Sequence, residues 1–315
     1  MSADLPTLGI GVDIGGTSTK AAVIDALGTV VASIALPTQS GPKGVVATAT
    51  QAVLLVARSS AVSVSDVNAI GIGIPGTVDP QHGTVRFAVN VGIGRDGIDL
   101  GSRLSAELGV DVHVENDVRA AALGADWYLA SDTGAVSDLA YLSIGTGIAA
   151  GYVERGRLRR GNALVAGEIG HIPIDPQGPV CACGQIGCIE AISSGSAIER
   201  MWPTETGASA AALHRAASGG DTAARRLWDG VIGGLSRAVL LLALTWDPEV
   251  IVLSGGVASI GDVLLDAIAD RLAADAQQSE FLGSLDLGAR MRVIDPKVPL
   301  GPIGAVRAAH AALLP

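Results

Sequence analysis

The sequence predicts an α/β protein of two domains with related topology. Segments with strand periodicity alternate with segments of helical periodicity along almost the whole chain. A strand, a Gly/Thr-rich turn and a second strand occur near the N-terminus, with the turn at Gly15. A similar unit, with its turn at Gly145, recurs about 130 residues later. The chain has 315 residues, 49% hydrophobic and 17% charged, which is typical of a globular protein longer than most single cores.

Composition and charge narrow the classes of function. A formal net charge of −10 repels phosphate backbones, and an aromatic content of 3% leaves little for base stacking, so we expect no nucleic acid partner. Residues 1–16 lack the basic lead and long apolar core of a secretory signal. The longest apolar run, Ala238–Leu244, is shorter than the roughly 20 residues that cross a bilayer. We therefore expect a soluble, cytoplasmic protein without a membrane partner.

The first strand, Leu8–Asp13, leads through a glycine-rich bend into a second strand, Ala21–Asp25. Asp13 stands at the strand end, where a carboxylate can hold Mg²⁺ through water. Backbone N–H groups and a hydroxyl in the bend can hold phosphate oxygens, although an ordinary hairpin turn is the alternative. The candidate phosphate ligands are Gly15, Gly16, Thr17 and Lys20, the last of which either reaches a phosphate or points to solvent.

Further elements follow in order. A helix over Lys43–Arg58 precedes the strand Ala69–Ile74, and the turn Pro75-Gly76-Thr77 brings backbone close enough to contact a ligand. Arg86–Asn90 leads into a glycine-rich loop. Leucines at 100, 104 and 108 line one side of a helix that Gly109 ends.

A cluster of polar residues, Glu115-Asn116-Asp117, joins the strand Val110–Val114 to the helix Val118–Leu129. A carboxylate at this junction either caps the helix or, since strand ends open onto clefts in α/β proteins, serves catalysis. Position alone leaves both interpretations open.

A second hairpin is formed by the strand Leu139–Ile144 and a strand running through Val153. Its turn, Gly145-Thr146-Gly147, repeats the chemistry of the first bend, and this repetition favours phosphate binding by both. A third turn of this type, Ser254-Gly255-Gly256-Val257, follows the short strand Val250–Leu253.

Between these hairpins and the third turn lies the stretch Gly167–Glu190, which contains all three cysteines. His171, Cys181, Cys183 and Cys188 form a Cys₃His set, which matches a closed tetrahedral structural zinc site. Glycines at 184 and 187 permit the tight turns that such a site needs. Reduced structural thiols are the alternative, whereas three cysteines cannot all pair as disulfides.

The rest of the chain completes the alternation. The predicted elements are the helices Ala208–Ser218, Asp221–Trp246 and Asp262–Ala276, the strand Met291–Ile294 and the helix Ile303–Leu314. No low-complexity linker is visible. We therefore predict a small N-terminal domain, 1–118 plus 301–315, that meets a large domain, 119–300, at a hinge.

Together these motifs resemble the ROK family of bacterial sugar kinases and sugar-responsive repressors, within the actin-like ATPase superfamily. The resemblance runs nearly end to end. Its phosphate motifs are similar to Asp13–Thr17 and Ile144–Gly147, its catalytic motif to Glu115–Asp117 and its adenosine-side motif to Leu253–Gly256. The most specific match is Glu168-Ile-Gly-His171 followed by the cysteines and Glu190.

The resemblance implies an actin-like, ribonuclease H-like fold with ATP and a hexose in an interdomain cleft, and Asp117 as the catalytic base. The implied sugar contacts are Gly76, Asn90, Asn116, Asp117, Glu168, His171 and Glu190. The implied ATP contacts are Asp13, Gly15, Gly16, Thr17, Lys20, Gly145, Thr146, Gly147, Gly255 and Gly256, with Mg²⁺ on Asp13 through water and Zn²⁺ in a structural role. The chain departs from relatives after Asn90, where Val91–Gly94 replaces the usual aromatic residue.

The resulting expectation is an ATP-dependent hexose 6-kinase of glucokinase type, acting as a homodimer. An N-acetylglucosamine or N-acetylmannosamine kinase is the alternative, because no residue indicates whether a 2-acetamido group fits. A repressor of the same family would need a DNA-binding domain ahead of Asp13, and we expect none. A noncatalytic sugar-binding protein is disfavoured by the phosphate motifs and Asp117.

Overall fold

The computed structural model describes residues 8–313 except 133, 135 and 206. The chain separates by its contacts into two compact units. Unit 1 comprises the chain up to Ala135 together with Val153–Ala166 and the segment from Pro299 onward. Unit 2 comprises Val136–Tyr152 and Gly167–Val298. The predicted domain limits, 1–118 plus 301–315 and 119–300, stay a prediction.

The strands of the described residues follow in chain order. They are β1 Leu8–Ile14, β2 Ser18–Asp25, β3 Val30–Pro37, β4 Ala69–Ile74, β5 Thr77–Asp79, β6 Thr84–Arg86, β7 Ile98–Asp99, β8 Val112–Asn116, β9 Asp138–Ile144, β10 Ile148–Glu154, β11 Arg157–Leu158, β12 Val250–Ser254 and β13 Met291–Val293.

The helices are α1 Pro42–Ser59, α2 Leu100–Leu108, α3 Asp117–Asp132, α4 Ile189–Ser193, α5 Gly195–Met201, α6 Ser209–Ser218, α7 Thr222–Trp246, α8 Asp262–Ala276, α9 Glu280–Gly283, α10 Leu287–Arg290 and α11 Leu300–Leu313. Capping explains several of these limits. Asp221 caps α7 by accepting hydrogen bonds from the N–H groups of Ala223 and Ala224, and Gly109 ends α2 with a left-handed φ of 72°.

The main sheet of unit 1 has the order β3-β2-β1-β4-β8. The β1–β2 hairpin is antiparallel, whereas β4 and β8 add in parallel, so the carboxyl ends of β1, β4 and β8 lie at one edge. Strands β5, β6 and β7 form a separate small antiparallel sheet. The predicted strands are present here, but β3 and the small sheet are additional to the prediction, and β8 begins at Val112 instead of Val110.

Helix α11 packs on this sheet and on α3 through glycines. A Cβ at Gly304 would overlap the Ala120 carbonyl, and one at Gly71 would overlap the Ala305 carbonyl. The absence of side chains at these glycines lets the helix backbone approach α3 and the sheet closely. Of the predicted helix Ile303–Leu314, the last residue lies outside the described residues.

The second five-stranded sheet repeats the pattern with the order β11-β10-β9-β12-β13, in which β12 is parallel to both β9 and β13. Its strands β9, β12 and β13 lie in unit 2, whereas β11 lies in the part of the chain assigned to unit 1. Helix α7 supplies much of the core, through residues such as Val231, Leu235 and Val239. Among the described residues it is also the one helix long and apolar enough to cross a membrane. However, 56% of its apolar window is buried inside the protein, as in a core helix.

Candidate active site

The glycine bend of unit 1 connects β1 to β2. The Gly15 N–H donates to the Ser18 carbonyl at 2.9 Å, which closes the turn and leaves Gly16 and Thr17 exposed. Asp13 lies opposite Lys20 in the hairpin register. Burial raises the pKa of the Asp13 carboxyl above its ordinary value, and the positive charge of Lys20 partly offsets that rise.

The start of α11 lies against this carboxylate, since a Cβ at Gly301 would come within 2.8 Å of the Asp13 Cγ. Asp13 is half-buried, and a cation near its carboxylate would relieve the cost of its charge. This is the chemistry expected of a residue that holds Mg²⁺ through water. Lys20 is exposed.

Two further candidates of unit 1 are Asn90, which adjoins this bend, and Gly76, which packs against Arg86 and Ala88. A Cβ on Gly16 would lie 3.0 Å from the Asn90 carbonyl oxygen, so the segment carrying Asn90 packs on the bend. Gly76 has a φ of 96°, and a Cβ there would lie 2.5 Å from the Arg86 carbonyl oxygen. Only glycine fits this turn without strain. Asn90 itself is exposed.

The β8–α3 junction places Asn116 and Asp117 at the edge where β8 ends. The Asn116 Oδ1 accepts from the Arg119 N–H at 3.1 Å, and its Nδ2 donates to the Gly76 carbonyl at 3.2 Å. The Asp117 Oδ1 accepts from Asn116 Nδ2 at 3.0 Å and from the Val118 N–H at 2.8 Å. Asn116 therefore has the N-cap geometry. Asp117 is held in one orientation and stays a candidate for the base.

A buried ion cluster lies behind this junction and was not predicted. Glu115 is fully buried and accepts a hydrogen bond from Arg160, while the Arg119 guanidinium lies 3.5 Å from its other oxygen. The i, i+4 spacing of Glu115 and Arg119 is a signal that could have indicated their pairing. Nothing in the sequence pattern indicates the contribution of Arg160.

In unit 2 the bend Gly145–Gly147 contacts the start of α5 and lies beside the turn that contains Gly255. The Gly195 N–H donates to the Gly145 carbonyl at 2.7 Å, and the Ser196 hydroxyl donates to the Thr146 carbonyl. Gly255 has a φ of 97°, and a Cβ there would lie 2.6 Å from the Ile144 carbonyl oxygen. The second and third predicted glycine turns therefore lie side by side. Thr146 and Gly256, one in each of these turns, are exposed.

Glu190 connects this bend to the cysteine stretch. Its Oε2 accepts from the Ile148 N–H at 2.9 Å, and a Cβ at Gly147 would overlap the same carboxylate oxygen. His171 Nε2 lies 4.0 Å from Glu168 Oε2, and both side chains are partly exposed. The three predicted sugar contacts of unit 2 thus flank the metal set and the second bend.

The side chains of His171, Cys181, Cys183 and Cys188 converge, and their ligand atoms all lie within 4.8 Å of one another. The Cys183 and Cys188 sulfurs are 3.7 Å apart, and Cys181 Sγ lies 3.6 Å from His171 Nδ1. Tetrahedral zinc with bonds of about 2.3 Å to sulfur and 2.0 Å to nitrogen requires separations of about 3.7 and 3.5 Å. The donor set therefore fits zinc in its chemistry, and these two separations match those of a tetrahedral site.

Local backbone features hold this set together. Cys181 N–H donates to the Gln185 carbonyl at 2.8 Å, and a Cβ at Gly187 would overlap the Asp175 carbonyl. The Gln185 Nε2 donates to the His171 carbonyl at 2.9 Å and to Cys183 Sγ at 3.4 Å. Hydrogen bonds from Gln185 lower the pKa of Cys183 to about 6, and desolvation raises the pKa of Cys188 to about 12.

These features define a class of protein: an α/β protein of actin-like ATPase fold with a glycine bend on each sheet and a carboxylate at a strand end. Residues 9–284 match the sequence profile of the ROK family. The chain belongs to the ROK family.

Known relatives agree with this assignment. The chain is 30% identical over 304 residues to a glucokinase of Thermotoga maritima, covering 91% of this chain and 93% of the relative. It is 34% identical over 252 residues to an N-acetylmannosamine kinase of Escherichia coli, covering 79% and 82% of the two chains. The structure of a ROK glucokinase from Streptomyces griseus with glucose and AMPPNP superimposes with a TM-score of 0.78 at 29% identity, covering 96% of this chain and 99% of that one.

Proposed function

We propose that the protein is an ATP-dependent hexose kinase that phosphorylates the 6-hydroxyl of its sugar, with glucose as the first expected substrate. The observation that carries this proposal is the fixed Asp117 carboxylate at the end of β8, in a ROK chain similar over most of its length to glucokinases. Glucose and the ATP analogue AMPPNP are bound in the structure of the Streptomyces griseus glucokinase.

The reaction needs an in-line approach and little covalent chemistry from the protein. The sugar 6-hydroxyl oxygen attacks the γ-phosphorus of ATP, the bond from that phosphorus to the β,γ-bridging oxygen breaks, and ADP leaves. Asp117 accepts the hydroxyl proton. Hydrogen bonds from Asn116 and the Val118 N–H keep the carboxylate in a fixed orientation for this transfer.

The other predicted residues divide between the two substrates. Sugar hydroxyls lose water on binding and each needs a polar partner. We assign these partners to Gly76, Asn90, Asn116, Glu168, His171 and Glu190. The phosphates and adenosine of ATP would be held by the three glycine turns, that is by Gly15, Gly16, Thr17, Lys20, Gly145, Thr146, Gly147, Gly255 and Gly256.

Two metals complete the proposal. Asp13 would hold Mg²⁺ through water, and Mg²⁺ when bound neutralises charge on the transferring phosphate. Zn²⁺ would be held by His171, Cys181, Cys183 and Cys188 in a structural role. Since the Nδ1 of His171 faces Cys181 and its Nε2 faces Glu168, the metal would orient an imidazole whose other nitrogen meets a sugar hydroxyl.

A coupled ADP assay with purified protein, ATP, Mg²⁺ and a panel of hexoses tests the function. We expect ADP production that depends on a hexose and a sugar 6-phosphate as product. Asp117→Asn serves as the inactive control. Absence of hexose-dependent ADP with every sugar would refute the proposal.

An N-acetylated hexosamine kinase is the second candidate. The observation that favours it is the similarity to the Escherichia coli N-acetylmannosamine kinase over most of both chains. The same assay separates the two when N-acetylglucosamine and N-acetylmannosamine are included in the panel. A higher kcat/KM for either N-acetylated sugar than for glucose would reverse the order of the candidates.

A homodimer in the cytoplasm, without a nucleic acid partner, completes the proposed setting. Light scattering on purified protein would give the mass of the assembly. A mass of one chain, 31.5 kDa, at working concentration would remove the dimer from the proposal.

A further inference from the structure

Glu115 is the most deeply buried acid among the predicted motif residues and needs an explanation beyond helix capping. Its side chain has no exposed surface, and the two arginines beside it, Arg119 and Arg160, are 4% and 33% exposed. A buried charge is costly unless it is paired and hydrogen-bonded. The protein therefore maintains a three-residue ion cluster directly behind Asn116 and Asp117.

The two oxygens of Glu115 have different partners. Oε2 pairs with the Arg160 guanidinium, whose Nε lies at 2.8 Å and whose Nη2 lies at 2.7 Å. Oε1 accepts the Asn116 N–H at 2.9 Å and lies 3.5 Å from Arg119 Nη1. Arg160 therefore fixes the carboxylate from one side, and the carboxylate holds the backbone of Asn116 from the other.

Arg160 begins a short loop, 160–166, that is clamped to the start of α3. The Ala166 N–H donates to the Arg160 carbonyl at 3.3 Å and closes the loop. Leu164 adopts a left-handed φ of 58°, which a bulky residue rarely adopts, and its carbonyl accepts a hydrogen bond from Arg119 Nη2. Such backbone strain persists where the surroundings hold it, often at functional sites.

The loop also leads in sequence to the sugar-binding candidates, because Glu168 follows two residues after Ala166. The side chain of Arg160 thus meets the carboxylate that supports the catalytic junction, while its main chain starts the segment that ends at Glu168. Arg160 therefore contacts Glu115 through its side chain and precedes Glu168 in the same chain segment.

We propose that Arg160 is a positioning residue for phosphoryl transfer, which holds Asn116 and Asp117 in place through Glu115. This inference rests on the proposed function. Arginine suits the task because two of its guanidinium nitrogens reach one oxygen in a fixed planar geometry, which the ammonium group of lysine does not reproduce. Small displacements of a catalytic group cost about a hundredfold in rate.

A purely structural cluster makes a different prediction. Loss of Arg160 would then lower stability but leave kcat of the folded enzyme unchanged. A positioning role lowers kcat and leaves the KM for ATP near its original value, because the proposed function assigns Asn116 and Asp117 to the sugar and to proton transfer, not to ATP binding. The split between kcat and the KM for ATP therefore distinguishes the two roles.

The test compares Arg160→Ala and Arg160→Lys with the control Arg159→Ala. Arg159 is the adjacent arginine, 59% exposed and 3.7 Å from the exposed Glu154.

We expect Arg160→Ala to lower kcat by about tenfold to a hundredfold with the KM for ATP within about twofold. Arg160→Lys should recover part of the loss, and Arg159→Ala should match the original enzyme. If Arg160→Ala does not fold, the kcat of Arg160→Lys decides, and an unchanged value would overturn the inference.

Hydrogen exchange of amides 116–119 provides a readout that does not depend on turnover. We expect faster exchange in Arg160→Ala or Arg160→Lys than in Arg159→Ala. If the original protein phosphorylates no sugar, the proposed function fails, while faster exchange still supports the anchoring of Asn116 and Asp117 by Arg160. If the original enzyme is active and exchange or kcat is unchanged in the Arg160 variants, the positioning role is wrong.

Discussion

The Glu190 carboxylate accepts a hydrogen bond from the Ile148 backbone N–H at 2.9 Å. Gly147, one residue earlier, has no room for a side chain against the same carboxylate. A predicted sugar contact therefore also supports the turn predicted to hold phosphate. This relationship couples two roles that the sequence motifs present as separate.

Substitutions at Glu190 should separate these roles. Glu190→Gln keeps an oxygen acceptor for Ile148 but loses the charge, so we expect the KM for hexose to rise about tenfold and the KM for ATP to stay near its original value. Glu190→Ala removes both functions and should raise both constants. Steady-state kinetics with each substrate varied in turn provide the measurement. An unchanged KM for ATP in Glu190→Ala would argue against a supporting role for the carboxylate.

Asp117→Asn should lower kcat by at least about a hundredfold, because the amide cannot accept the hydroxyl proton. Asn is close in size and its carbonyl oxygen can still accept from the Val118 N–H, so the start of α3 should be preserved. Calorimetric titration with the preferred hexose should give nearly unchanged affinity. An unchanged kcat would restrict Asp117 to the helix terminus.

Much of this site could be predicted from sequence because its parts are local. The glycine turns, the strand end at Glu115–Asp117 and the cysteine set each appear within a few residues, and the structure places them at turns and strand ends. Contacts across long separations gave no comparable signal. Arg160 is 45 residues from Glu115, and the small sheet β5-β6-β7 consists of strands of two or three residues. Short strands and distant ion pairs depend on tertiary packing, which periodicity does not reveal.

The Asp13 carboxylate should lower the free energy of unfolding of the protein, although we propose that it serves MgATP binding. Its folded-state pKa is raised by burial, so the folded protein favours the neutral acid more than the unfolded chain does. The resulting penalty grows as pH rises from the unfolded value of 3.8 through the raised folded pKa, and it is fully present above both. Asp13→Asn removes the charge and should raise the free energy of unfolding near neutral pH, when Mg²⁺ and ATP are absent. The gain should shrink as the pH approaches 3.8.

Urea unfolding at several pH values, with kinetics on the same samples, tests the Asp13 prediction. The variant should lose kcat/KM for MgATP by at least about tenfold while gaining stability. Lys20→Ala is a useful comparison, because removing that positive charge should raise the Asp13 pKa further. An Asp13→Asn protein less stable than the original near neutral pH would contradict the argument.

The Cys₃His set should link metal content to sugar affinity. Because His171 Nδ1 lies with the cysteines and Nε2 faces Glu168, loss of the metal should release the imidazole and with it the sugar side of the site. We expect Cys183→Ser, or removal of zinc by a chelator, to raise the KM for hexose by about tenfold or more, with a smaller change for ATP.

Mass spectrometry of the metal should give one zinc per chain in the original protein. Gln185→Ala provides a graded control, since Gln185 donates to Cys183 Sγ without being a ligand, and it should weaken zinc retention less than Cys183→Ser. Fully active protein without zinc, or normal hexose affinity in Cys183→Ser, would show that the metal set and the sugar contacts are independent.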